Sequence, residues 1–170
     1  MTERGRDTPP DGGNSFEEYL RGVAGAPALS LAEEAALAGA AASGDREAAS
    51  RLLRSSLRLV VALARRYEAT GASMVDLVQE GNRALLRAVE SFEPERGFSF
   101  RSYATWLVRR HLAEVAAAPL EEALLARVQD AWDAVVAASG RQPTLEELAG
   151  ETGLGADELA DLLGRPPGDG

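Results

Sequence analysis

Apolar residues recur at helical spacing over residues 74–92, and this periodicity constrains the fold more than any other feature of the sequence. At 100° per residue they share an arc of about 120°, opposite a polar face. The residues in this arc are Leu77, Val78, Leu85, Ala88, Val89 and Phe92, with Gly81 among them. The stripe predicts a surface helix packed on a core and excludes a half-buried strand, whose apolar residues alternate with a period of two.

Helix start and stop signals divide the rest of the chain in the same way. Ser30 and Glu33 form a candidate capping box, Asp45 and Ser73 are candidate N-caps, and Pro119 ends a helix. The predicted helices cover residues 15–23, 31–42, 46–70, 74–92, 99–118 or 102–118, 120–139, 145–151 and 156–163. Because strand-forming residues are scarce and aromatic residues make up only 5% of the chain, the sequence predicts an all-α fold.

The chain is predicted to contain two helical domains between polar ends. Residues 1–13 and 164–170 are rich in Pro and Gly and are expected to be disordered. Residues 14–118 form the larger helical domain. Residues 120–163 form a small three-helix domain, whose last two helices surround a Gly turn as in a helix-turn-helix unit.

Composition excludes several classes of function. The absence of cysteine excludes a disulfide framework and a thiolate metal site. The single histidine, His111, has no neighbours suited to a catalytic triad, so we expect no catalytic residues, no metal, no cofactor and no enzyme. Since no apolar run approaches the roughly 18 residues of a membrane span, a soluble cytoplasmic protein without a membrane partner is expected.

Charge is distributed unevenly along the chain. Residues 46–114 hold twelve arginines and eight acids, a net charge of +4, whereas residues 1–45 carry −5 and residues 115–170 carry −8. A basic middle third favours an anionic partner there. The alternative is that the arginines only solvate helix faces.

Five of the nine aromatic residues lie close together and alternate with arginines. They are Phe92, Phe98, Phe100, Tyr103 and Trp106, with Arg96, Arg101, Arg109 and Arg110 among them. A base held out of a duplex needs a π-face to stack on, which contributes roughly 1–3 kcal/mol per base, and cations for its phosphate. Such a cluster can equally form a core, and Phe92 and Phe100 fit the core under either interpretation.

Three segments resemble conserved region 2 of the sigma-70 family of bacterial RNA polymerase sigma factors: residues 76–82 (DLVQEGN), 87–92 (RAVESF) and 96–106 (RGFSFRSYATW). Residues 14–34 resemble region 1.2 of that family, and residues 140–149 resemble region 3. The resemblance implies a helical bundle of regions 1.2 and 2 followed by a small three-helix domain like region 3.

The resemblance also implies two binding surfaces. The polar face of the helix after Ser73 would dock on the coiled coil of the β′ subunit of core RNA polymerase; its residues are Asp76, Gln79, Glu80, Asn82, Arg83 and Leu86. The aromatic segment would melt the promoter −10 element and bind its non-template strand, with Tyr103 stacked on a flipped adenine. The implied DNA-binding residues are Phe98, Phe100, Arg101, Ser102, Tyr103, Trp106, Arg109 and Arg110.

Some positions depart from the family. Leu107 stands where the family has a second tryptophan, and Glu114 would repel phosphates. The sequence ends at Gly170 without the region 4 that reads the −35 element, so we expect a truncated sigma factor, served by an activator that replaces this contact. The alternative is a sigma-like regulatory protein that occupies core polymerase, or is held by an anti-sigma protein, without selecting promoters.

Overall fold

The computed structural model describes residues 12–96 and 98–164 as a helical protein. The helices are α1 (Gly12–Gly25), α2 (Leu31–Ala42), α3 (Arg46–Arg66), α4 (Met74–Ser91), α5 (Phe100–Val115), α6 (Pro119–Ser139), α7 (Leu145–Thr152) and α8 (Ala156–Leu162). No β-strand occurs in these residues, and the predicted all-α fold is confirmed. None of the described helices has the length and apolar character needed to cross a lipid bilayer.

Side-chain caps start α2, α3 and α5 at predicted residues, whereas Ser73, the predicted cap of α4, makes no side-chain capping hydrogen bond. The Ser30 hydroxyl accepts a hydrogen bond from the backbone N–H of Glu33, whose carboxylate accepts one from the N–H of Ser30. This reciprocal capping box satisfies two amides that the first turn of α2 would leave unpaired. Ser99 caps α5 by accepting from the backbone N–H of Ser102, so the helix starts at the earlier of the two predicted positions.

The two predicted disordered ends lie mostly outside the described residues. Residues 1–11 and 165–170 are outside them. Gly12 and Gly13 belong to α1 rather than to the predicted disordered N-terminal segment.

Two helices end earlier than the sequence predicts. α3 ends at Arg66, and Glu68–Thr70 form a 3-10 turn that Gly71 closes with a left-handed φ of +86°. α5 ends at Val115. The predicted end at about Ala118 lies too far along the chain because a Schellman C-cap closes the helix first. Ala117 adopts a left-handed φ of +50°, the Ala118 N–H donates to the Ala113 carbonyl, and the Ala117 N–H donates to the Glu114 carbonyl.

Helices α3, α4 and α5 pack against one another at the centre of the fold. Leu77 and Leu85 of α4 are fully buried between its neighbours. A Cβ built on Gly81 would lie 2.5 Å from Cγ1 of Val60 on α3. Gly81 therefore lets α3 and α4 approach more closely than a residue with a side chain would.

Helix α6 packs directly on α5, α7 packs on α6, and α8 packs on α7. Leu125 and Val128 of α6 and Leu159 of α8 belong to the same buried cluster as Val108 and Leu112 of α5. The acidic C-terminal part of the sequence therefore shares a core with the helix that carries the aromatic segment.

Candidate functional site

One side of α4 presents polar side chains to solvent. We call it the α4 face; it consists of Asp76, Gln79, Glu80, Arg83 and Leu86. All except Glu80 are exposed, and the Glu80 side chain retains 30% of its accessible surface. Leu86 is 45% exposed, although burial of an apolar side chain is favourable. Exposed apolar surface among amide and charged groups is typical of a protein–protein contact.

The polar groups of the α4 face are available to a partner. Arg83 donates a hydrogen bond to the carboxylate of Glu80, one turn away on the same helix. An exposed helical pair of this kind contributes only about 0.3–0.5 kcal/mol, so a partner can displace it. Asp76 and Gln79 form no hydrogen bond with any other side chain in the described residues.

Asn82, which the sequence also predicted on the docking surface, contacts α1. Its amide nitrogen donates to the hydroxyl of Tyr19 on α1 at 2.9 Å. Its carbonyl oxygen is buried and has no hydrogen-bond partner among the described residues. The amide therefore lies between α1 and α4 and is engaged by Tyr19, while the side chain remains partly exposed and its docking role stays a prediction.

Three rings of the aromatic segment form a row that is half-buried. We call Phe98, Tyr103 and Trp106 the ring row. The centroids of Phe98 and Tyr103 are 5.4 Å apart, and those of Tyr103 and Trp106 are 6.3 Å apart with an interplanar angle of 27°. The near-parallel arrangement resembles a stack of bases, and partial exposure leaves ring edges and faces within reach of a ligand.

Phe100 belongs to the core, and the structure corrects its predicted contact with DNA. Its side chain is 3% exposed, and its ring stands perpendicular to that of Phe92 with centroids 5.5 Å apart. Because α5 starts at Phe100, the following helical turn holds this ring inward. It supports the ring row and offers no free face.

Two further predicted DNA contacts are engaged within the protein. Ser102 is 4% exposed, and its hydroxyl accepts a hydrogen bond from the hydroxyl of Ser99 at 3.0 Å. Arg101 donates to the carboxylate of the buried Glu34 at 2.9 Å, which joins α5 to α2. Arg101 remains partly exposed, whereas Ser102 is buried and the structure corrects its predicted contact with the DNA strand.

Arg109 is the largest departure from the sequence prediction. It is 5% exposed. Its Nε donates to Glu121 Oε1 at 2.9 Å, and its Nη1 donates to Asp161 Oδ2 at 3.2 Å. Tyr67 donates its hydroxyl proton to the same Glu121 oxygen at 2.7 Å. The guanidinium is therefore enclosed by carboxylates of α6 and α8 and does not face a nucleic acid in this conformation.

The ionisation of this buried network follows from its geometry. Burial is the largest single influence on the Arg109 guanidinium and acts to lower its pKa, but the hydrogen bond and negative charge of Glu121, together with Tyr67 and Asp161, outweigh it and raise the pKa. Burial and the same carboxylate raise the pKa of Tyr67. Hydrogen bonding to Arg66 lowers the pKa of Asp161. The shifts of Arg109 and Asp161 both favour the charged form, so these two groups stay ionised at neutral pH.

The sequence predicts that Arg110 contacts nucleic acid, and the structure places its side chain at the surface. It is exposed, and its Cζ lies 5.6 Å from the ring centroid of Trp106, within cation–π range. It borders a surface groove that also contains Arg87 and His111, whose Nη1 and Nε2 atoms are 3.2 Å apart. Glu114 lines the same groove, and its negative charge offsets part of the attraction that the arginines exert on a phosphate.

Helix α6 contributes contacts to the ring row that the sequence did not predict. The indole N–H of Trp106 donates to the backbone carbonyl of Leu125 at 3.2 Å. The ring of Trp132 meets that of Phe98 edge-on, with centroids 5.0 Å apart. The apolar spacing along α6 indicates that Trp132 is packed, but only the tertiary structure shows which ring it contacts.

Comparison with known proteins agrees with the motifs in α4 and α5. The sigma-70 region 2 family description matches residues 52–114, which include all of α4 and most of α5. The RNA polymerase sigma factor SigA of a Bacillus species is 35% identical over 156 residues, an alignment that covers 85% of this chain. The chain spans 41% of the length of that relative.

Proposed function

Since the chain belongs to the sigma-70 family of RNA polymerase sigma factors, we propose that it is a transcription initiation factor that binds core RNA polymerase and promoter DNA. Sigma factors direct the polymerase without catalysing a reaction, in agreement with the expectation that the chain is not an enzyme. We assign polymerase binding to the α4 face and DNA binding to the ring row. The supporting observation is that an exposed polar face and a row of half-buried rings lie on two helices packed against each other.

The α4 face suits the β′ coiled coil because it offers both apolar area and directional polar groups. Leu86 can bury its exposed surface against a partner helix, while Gln79 supplies donors and an acceptor and Glu80 supplies a negative charge. The Glu80–Arg83 pair can exchange its internal hydrogen bond for one across the interface at little cost.

The ring row suits unpaired bases of the −10 non-template strand. Stacking on an aromatic side chain contributes about 1–3 kcal/mol per base, which offsets part of the cost of opening a base pair. Arg110 lies beside Trp106 and can contact the phosphate of a stacked nucleotide. Tyr103 is the central ring of the row and is therefore the expected platform for the flipped adenine.

Binding to core polymerase tests the first assignment. Gln79→Ala combined with Glu80→Ala should weaken binding to core polymerase by about tenfold or more, as for residues central to an interface. Asp130→Ala is the matched control, because it removes an exposed acid from the outer side of α6. Equal affinity of the double variant and the control would reject the α4 face as the docking surface.

Permanganate reactivity of the −10 thymines tests the second assignment in polymerase reconstituted with the chain. Tyr103→Ala should abolish their reactivity and leave core binding intact. Tyr103→Phe keeps the ring and loses only the hydroxyl, which is 2.8 Å from that of Ser91, so it should retain most of the reactivity. Unchanged reactivity of the alanine variant would remove the melting role from the ring row.

A second candidate function is favoured by the engagement of predicted DNA contacts within the chain. Arg109 is buried against Glu121, and the Trp106 indole N–H is bonded to Leu125. Under this alternative the chain is a sigma-like regulatory protein that occupies core polymerase without selecting promoters. Run-off transcription with core polymerase distinguishes the two: an initiation factor yields transcripts, and an occupying protein binds core polymerase and yields none.

A further inference from the structure

The helices that cover the ring row are strongly acidic. Residues 119–164, here called the acidic unit, contain ten acids and two arginines, a net charge of −8. They consist of α6, α7 and α8. The acidic unit packs on α5, whose surface carries the ring row and Arg110.

Three contacts of the acidic unit use the groups that a single strand of DNA would use. The Leu125 carbonyl accepts the indole N–H of Trp106. Trp132 covers an edge of the Phe98 ring. The carboxylate of Glu121 neutralises Arg109, which a phosphate could otherwise approach. A nucleotide offers the same kinds of group, because its base is aromatic and carries hydrogen-bond acceptors and its phosphate is anionic.

A carboxylate that would repel a phosphate lies at the pocket between the ring row and α6. Asp133 and Gln129 line it together with Phe98, Tyr103 and Trp106. The Gln129 amide donates to the Asp133 carboxylate at 2.8 Å, which orients the negative charge beside the pocket. A phosphate that enters with a stacked base is repelled by this carboxylate, because the two carry the same charge at short range.

We propose that the acidic unit is an intramolecular mask of the ring row, so that it and single-stranded DNA compete for the same rings. The identity of the competing ligand rests on the proposed function. In a two-state equilibrium the apparent affinity for DNA falls in proportion to the fraction of open molecules. The acidic unit would move about the loop that joins α5 to α6. This loop contains Ala117, which has a left-handed φ of +50°.

A reversible disulfide tests the mask directly, because the chain contains no cysteine. A Cβ built on Gly164, which follows α8, lies 3.1 Å from Cβ of Thr105 on α5. The usual separation in a disulfide is about 3.5–4.5 Å, so the bond between Thr105→Cys and Gly164→Cys needs the two Cβ atoms to move slightly apart. Gly164 has a left-handed φ of +61°, which strains any side chain there. The reduced double variant carries the same strain and is therefore the reference. Thr105 is 1% exposed and makes no contact assigned to DNA.

The readout is fluorescence anisotropy of a labelled single-stranded oligonucleotide with a −10 non-template sequence. The oxidised double variant should bind it about tenfold more weakly, or worse, than the same protein after reduction, because the lost stacking contributes about 1–3 kcal/mol per base. Thr105→Cys alone, treated identically, should show no redox effect. Equal affinity of the oxidised and reduced protein would overturn the mask and leave DNA binding in place.

A charge variant tests the same inference without a crosslink. Asp133→Asn removes the negative charge beside the ring row and should raise oligonucleotide affinity by about two- to fivefold at low salt, with a smaller gain at high salt. Asp130→Asn removes the same charge from an exposed position on α6 and should change the affinity less. Equal effects of the two variants would contradict a specific mask.

The two proposals fail in different ways. If the wild type, the reduced double variant and Asp133→Asn all fail to bind the oligonucleotide, and polymerase reconstituted with the wild type also leaves the −10 thymines unreactive to permanganate, the DNA-binding role is wrong and the mask is wrong with it. If all of them bind and neither the disulfide nor Asp133→Asn matters, only the mask is wrong.

Discussion

Gly81→Ala should destabilise the fold even though alanine is the better helix former. Exchange of a mid-helix glycine for alanine gains about 0.5–1 kcal/mol. The new Cβ would lie 2.5 Å from Cγ1 of Val60, whereas carbon atoms in contact are normally about 3.5–4.0 Å apart. Val60 is fully buried, so α3 and α4 must separate to relieve the clash. Overpacking of this kind costs about 1–3 kcal/mol, so after the gain in helix propensity the expected net loss lies between about zero and about 2.5 kcal/mol.

Urea unfolding followed by circular dichroism measures this loss against a matched control. Gly39→Ala introduces the same methyl group into α2, where a built Cβ meets no atom within 4 Å. It should stabilise the protein by about 0.5–1 kcal/mol. The two glycines are equivalent in helix propensity, so a difference in sign between the variants isolates the contact with α3.

A double-mutant cycle with Val60→Ala tests whether the contact between Val60 and the new Cβ causes the loss of stability. Removal of the Val60 methyl groups makes room for the new Cβ, so the cost of Gly81→Ala should shrink in that background. A coupling of about 0.5–3 kcal/mol is expected for side chains in direct contact. If Gly81→Ala stabilises the protein as Gly39→Ala does, or if the coupling is zero, the close approach of α3 and α4 is not what requires glycine here.

Three further predictions follow from the surfaces and networks described above. Glu121→Ala leaves the buried Arg109 without its main counter-charge and should cost about 3–5 kcal/mol of unfolding free energy in thermal or urea unfolding; a loss below 1 kcal/mol would contradict the network. Hydrogen bonds from Arg141 and from the Thr144 backbone lower the pKa of Glu147 to about 2, so its stabilisation is complete above the ordinary value of 4.5 and is lost as the pH falls toward 2. Glu147→Gln should therefore reduce the change in stability between pH 5 and pH 2, and identical pH profiles would refute this. Leu86→Ala should leave stability within about 0.5 kcal/mol of the wild type, because the side chain is exposed, yet weaken binding to core polymerase in the same titration used for Gln79; unchanged binding would exclude Leu86 from the interface.

The helices could be predicted from the sequence because their signals are local. Ser30 and Glu33 lie three residues apart, and their capping box needs nothing from the rest of the chain. Ser99 likewise bonds to a backbone amide three residues away. The end of α5 was misread because the left-handed residue of its C-cap is Ala117, whereas this position is usually glycine or asparagine, so no residue type marks it in the sequence.

The roles of individual site residues could not be predicted from the same signals. Phe98 and Phe100 are two positions apart in one aromatic segment, yet Phe98 is half-buried beside α6 and Phe100 is in the core. Asn82 shares the polar side of its helix with Gln79, but its amide donates to the hydroxyl of Tyr19, 63 residues earlier, and is only partly exposed. Contacts between distant parts of the chain decide these cases, and residue spacing within one helix carries no information about them.

The uneven charge of the sequence is in part satisfied inside the protein. Arg66 pairs with Asp161, Arg101 with Glu34, and Arg109 with Glu121 and Asp161, so three arginines of the basic middle third are neutralised by acids of the two flanking thirds. A charge count along the sequence treats all of these arginines as available to an anion, and the structure reduces that number. If the acidic unit moves off α5, Arg66 and Arg109 are released together. The logarithm of DNA affinity falls with the logarithm of the salt concentration, with a slope of about 0.7 per phosphate contacted on a single strand. This slope should be steeper for a chain with an open acidic unit than for one in which the disulfide holds the unit closed. Equal slopes would mean that these arginines never reach the phosphates and that the ring row binds bases without them.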